Sequence, residues 1–172
     1  MKPALLVIGM QEQSFCESPE AAGSLEFALS RINIAVRLFH DNGLPVVCVR
    51  RVSPAEGMVP GAPRFEWHRR MERLSSDIVL DSRCGSAFHG TGLDRLLAEL
   101  GIDTVFLAGF CAEHGVLSTY RGAQDHGFAA IMLRGSLASP NPENIRFVEC
   151  ISDTVSVSNL EHLLCAPLAI AM

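Results

Sequence analysis

Short apolar runs alternate along the chain with longer stretches of helical spacing. Residues 4–8 are continuously apolar, the pattern of a strand covered on both faces. Residues 20–42 then carry Leu25, Ala28, Leu29, Ile32, Ala35, Val36 and Phe39 three or four apart, which predicts a helix stopped by Asn42-Gly43. Residues 45–49 read as a second strand, followed by a Gly- and Pro-rich loop over 53–63. A third short strand is expected near 78–80 and a helix over 92–100, with Leu93, Leu96, Leu97 and Leu100 inward and Gly101 closing it. Beyond it the pattern predicts a strand at 104–108, a helix at 115–126 closed by Gly127, and a strand at 129–133. A helix at 144–152, a strand at 154–157 and the start of a helix at 160–164 complete it.

Strands that alternate with helices imply βαβ units, and these build a parallel sheet with helices on both faces. The expected fold is therefore α/β: one domain over residues 1–172, a three-layer α/β/α sandwich around a six-stranded parallel sheet. Ligands in such sheets bind at the carboxyl ends of the strands. The segments expected there are 9–16, 50–54, 81–91, 109–115 and 134–140.

Composition narrows the classes. The chain has 172 residues, 48% hydrophobic and 19% charged, which excludes a disordered protein. Its net charge of -5 argues against nucleic acid as a partner. No apolar run reaches the roughly 18 residues of a membrane span, and residues 1–10 lack a cleavage site, so no membrane association is expected. Six scattered cysteines without a CxxC pair suggest reduced thiols and a cytoplasmic setting. The six histidines show no i, i+4 ligand pair, so neither metal nor other cofactor is expected. The apolar composition and the run over 163–172 predict a homo-oligomer, a dimer or tetramer.

Three segments carry a resemblance: LLVIGMQEQSF (5–15), SRCGSAFHGTGLDRLLAELGIDTVFLAGF (82–110) and GFCAEHGVLSTYRGAQDHGF (109–128). In order and spacing they resemble the isochorismatase-like cysteine hydrolases. That resemblance implies a six-stranded α/β fold, dimers or tetramers, and a catalytic Asp, Lys and Cys. The Asp ends the first strand, the Lys lies four residues before the Ser of the SAF element, and the Cys opens the helix after the fourth strand. Here those positions are Gly9, Ser82 and Gly115. Isochorismatases proper also carry Gly at the last position, since vinyl-ether cleavage needs no nucleophile, but they keep the Asp and the Lys. The metal position of the nicotinamidase branch, after the second strand, is here Val49-Arg50-Arg51-Val52.

Two functions follow. The first is a non-catalytic homologue with a degenerate site, holding a small molecule or a partner. The second is an active hydrolase or lyase on a small carboxylated or amide substrate, with a rebuilt site of Cys111, Glu113 and His114. In it Cys111 is a displaced nucleophile and Glu113 or His114 its base. Gln11, Phe15, Arg83 and Phe110 are the expected substrate-binding residues, with Arg83 replacing the positive charge of the missing Lys.

Overall fold

The computed structural model describes residues 1–165. Six strands form one parallel sheet: β1 (Pro3–Ile8), β2 (Val46–Arg51), β3 (Ile78–Ser82), β4 (Thr104–Phe110), β5 (Ala129–Ala138) and β6 (Thr154–Ser156). Their order across the sheet is β3-β2-β1-β4-β5-β6. The helices are α1 (Pro19–Asp41), α2 (Leu93–Glu99), α3 (Leu117–Asp125), α4 (Pro142–Cys150) and α5 (Val157–Cys165).

Side-chain alternation along β1 separates the two halves of the core. Leu5 and Val7 point to the face covered by α1 and α5, where they meet Leu25, Ile32, Phe39 and Leu160. Ala4, Leu6 and Ile8 point the other way, toward Leu93, Leu97, Val116, Tyr120 and Val148 of the α2, α3 and α4 side. All six β1 residues are buried, as the apolar run required. The three-layer α/β/α fold is the one the sequence predicted.

Two elements depart from the sequence pattern. β5 runs five residues past Leu133, because a register shift between Leu107 and Gly109 brings Leu137 beside Gly109 and Ala138 beside Phe110. That irregularity accommodates Arg134-Gly135-Ser136, the polar stretch that breaks the apolar run. The helix after β4 opens with a π-helical turn over Ala112–Val116 instead of beginning as an α-helix at 115. The loop between β2 and β3 packs on its own small cluster of Val52, Met58 and Phe65.

Candidate functional site

A cavity of about 500 Å3 opens where the sheet order reverses, between the carboxyl ends of β1 and β4 and under the β2–β3 loop. Gly9, Ser82 and Gly115 all line it. So do Gln11, Arg83, Phe110, Cys111, Glu113 and His114. Phe15, expected to bind substrate, is not part of this wall; its ring stacks on His68 at 3.8 Å and packs against the α1-side core. Gln11 lines the cavity with its polar atoms already engaged. Its side chain is fully buried and its amide donates to the carbonyls of Phe65 (2.7 Å) and Arg51 (3.3 Å) while accepting from Arg51 N (2.7 Å). Gln11 thus fastens the overlying loop to β1, and its polar groups are committed to backbone.

The three family positions differ in how far they have closed. Gly9 has φ of +66°, and a Cβ there would stand 2.4 Å from the Phe110 carbonyl oxygen. No carboxylate can project from this backbone without the tips of β1 and β4 moving apart. Ser82 is buried, and its hydroxyl donates to the carbonyl of Cys84 at 3.0 Å. Gly115 is open: a Cβ would meet Ile8 Cγ2 at 3.4 Å, an ordinary contact. The peptide Phe110–Cys111 is cis.

The structure brings Cys111, Glu113 and His114 together, with one ligand-type atom of each within 4.8 Å of the others. The Cys111 thiol donates to Glu113 Oε2 at 2.9 Å. The other carboxylate oxygen accepts from Ser139 Oγ (2.9 Å) and Asn144 Nδ2 (2.5 Å). Burial, followed by the hydrogen bond and charge of Glu113, pushes the Cys111 pKa up to about 12. Burial works to raise Glu113 as well, but the hydrogen bonds from Cys111, its own backbone, Asn144 and Ser139 outweigh it and hold the carboxyl below its ordinary value. The proton therefore belongs to sulfur and the charge to the carboxylate, the reverse of what an activated nucleophile needs. Ser139 and Asn144 were not singled out in the sequence. Ser139 fell within a segment expected at the ligand edge, but only the closed fold shows that it meets Glu113.

The cavity rim is basic but largely neutralised. Arg50 donates to both oxygens of Asp81, at 2.7 and 3.2 Å, and Arg51 pairs with Glu56. These arginines offer no cation ligand, so Val49–Val52 does not fit the metal position of the nicotinamidase branch. Arg83 is exposed and, among the described residues, has no carboxylate partner. Glu17, also on the wall, has its pKa raised by burial and Glu56 against the opposing charge of Arg51.

Comparison with known proteins gives a consistent result. The profile of the isochorismatase domain matches residues 3–149. A maleamate amidohydrolase of Pseudomonas putida is 27% identical over 191 aligned positions, covering 94% of this chain and 88% of that protein. The crystal structure of an N-carbamoylsarcosine amidase from Thermoplasma acidophilum superposes with a TM-score of 0.80 at 26% identity, covering 91% of this chain and 97% of the other. A cysteine hydrolase from Pseudomonas syringae shares the fold with a TM-score of 0.85 at 18% identity, covering 95% and 92% of the two chains. With the six-stranded sheet, the strand-end cavity and these matches together, the chain belongs to the isochorismatase family.

Proposed function

We propose that this chain is a non-catalytic member of its family, which holds a small polar molecule in the cavity between β1 and β4. The observation that carries this reading is Gly9. The place where the family's proton acceptor would project is filled by the Phe110 carbonyl, 2.4 Å from any Cβ. Without that carboxylate, and with Ser82 and Gly115 at the other two positions, neither amide hydrolysis nor vinyl-ether protonation has its acid–base group. The unpaired Arg83 on the wall favours a carboxylate-bearing ligand.

A second reading is supported by the 2.9 Å contact between Cys111 and Glu113: a rebuilt hydrolase or lyase on a small carboxylated or amide substrate. Against it stand the raised thiol and the lowered carboxyl, which make proton transfer from sulfur to Glu113 uphill.

Assays of maleamate, N-carbamoylsarcosine, nicotinamide and isochorismate at high protein concentration separate the two. The expected outcome is no turnover, with small carboxylic acids raising the melting temperature in a saturable way. Saturable turnover of any of the four that disappears in Cys111→Ser or Glu113→Gln overturns the proposal in favour of the second reading.

We also propose self-association in a cytoplasmic setting. Phe27 and Ile34 on α1 and Phe147 on α4 remain exposed in the single chain, Phe27 at 59% and Phe147 at 58%. Among the described residues, no helix is long and apolar enough to cross a membrane.

A further inference from the structure

The Cys111, Glu113 and His114 cluster has the composition of a transition-metal site and follows β4, whereas the metal position that the resemblance to the nicotinamidase branch implies follows β2. A sulfur, a carboxylate oxygen and an imidazole nitrogen are a donor set suited to zinc. Three further features suit it. The donor atoms lie within 4.8 Å of one another. Tetrahedral zinc, with bonds of about 2.3 Å to sulfur and 2.1 Å to oxygen, needs donors roughly 3.6 Å apart, so the 2.9 Å Cys111–Glu113 pair opens slightly and the exposed His114 closes in.

Glu113 is also held from behind. Ser139 and Asn144 both donate to Oε1, which leaves Oε2 turned to the sulfur. Hydrogen bonds of this kind orient ligating carboxylates in metal sites. Finally, all three residues line the cavity, so a fourth coordination position opens into it.

We propose that Cys111, Glu113 and His114 bind one Zn2+, with Ser139 and Asn144 as positioning residues and the fourth position open to an oxygen of a small ligand. On binding, the Cys111 S–H bond breaks and its proton passes to solvent. Sulfur, one carboxylate oxygen and one imidazole nitrogen each give an electron pair to the cation, and nothing is oxidised or reduced. The resting site, a thiol beside a carboxylate, keeps a proton where the cation would stand.

Titration of the full chain with Co2+, followed by Zn2+, tests this. One equivalent of Co2+ is expected to give a thiolate-to-cobalt charge-transfer band, which Zn2+ removes. The band should vanish in Cys111→Ser. It should survive in the combined Cys16→Ser, Cys84→Ser, Cys150→Ser, Cys165→Ser variant, which removes Cys165 together with the other thiols that are exposed among the described residues. Asn144→Ala should weaken binding by roughly 10–100-fold. His114→Ala, at an exposed side chain, should do so at least as strongly with an unchanged melting temperature of the metal-free protein. Absence of the band in the parent chain, its persistence in Cys111→Ser, its loss in the combined cysteine variant, or unchanged affinity in His114→Ala each overturns the site. None of these readouts depends on turnover, so they stand apart from the test of the non-catalytic reading.

Discussion

Gly9 and Gly115 replace two members of the same triad, yet their surroundings differ. At 115 a side chain finds ordinary contact distances, whereas at 9 it meets backbone at 2.4 Å in a left-handed conformation. Gly115→Cys is therefore expected to change stability by less than about 1 kcal/mol, and Gly9→Asp to cost about 2 kcal/mol or more. Urea denaturation of the two variants measures the difference. Neither alone is expected to restore turnover. Cys111 gives a second test. Because the Glu113 charge helps hold its proton, Glu113→Gln should lower the thiol pKa and speed its alkylation by iodoacetamide, followed by peptide mass spectrometry at Cys111 itself. The pH dependence has a definite sign. Cys48 and Cys111 both have pKa values raised to about 12 by burial first, so the unfolded chain loses these protons before the folded one. Their contribution to stability is complete below the ordinary thiol pKa of about 8.5 and is lost as pH rises from there through about 12. Cys111→Ser should flatten part of that alkaline decline in Tm. Glu113 works in the opposite sense: its lowered pKa gives stability present above the ordinary glutamate value and lost as pH falls toward the depressed one.

At the scale of elements, helix starts are set by local chemistry. The Ser18 hydroxyl accepts from Ala21 N at 3.1 Å and Pro19 occupies the first turn of α1; Asn141 does the same for α4, accepting from Glu143 N at 3.0 Å. Ser18→Ala should cost about 1 kcal/mol, read from the denaturation midpoint. Most strands and helices were legible because burial imposes a period: Leu25 to Phe39 mark one face of α1, and residues 4–8 a doubly covered strand. The far half of β5 was not legible, since Arg134-Gly135-Ser136 interrupts the apolar run and only the register shift opposite Leu107 and Gly109 shows that pairing resumes at Leu137. The cavity wall was partly legible. Position in the chain places Gly9, Ser82, Arg83 and Cys111 at strand ends, but it cannot show that Gln11 turns its amide onto the backbone at 51 and 65, or that Phe15 turns to His68. Cys111, Glu113 and His114 offer no i, i+4 ligand pair in the sequence, and it is the π-helical turn that sets the spacing at which their donor atoms meet.

For the whole molecule, the exposed aromatic and aliphatic side chains on α1 and α4 bear on assembly. Light scattering across micromolar dilution is expected to show a dimer or larger species, and a monomer at every concentration would remove the proposal. The apolar run over 163–172, from which sequence reading argued for oligomers, lies beyond the described residues from 166 onward. Charge substitution at Phe27 and Phe147 is therefore the more direct probe of where copies meet. The contact between Gly9 and the Phe110 carbonyl has a consequence for inheritance. In a population exposed to selection for amide hydrolysis, cysteine at 115 is open to a single mutational step, while aspartate at 9 is closed until some other change has parted the two central strands. Acquisition of the family's triad is therefore ordered in time, and libraries that randomise position 9 alone should return glycine.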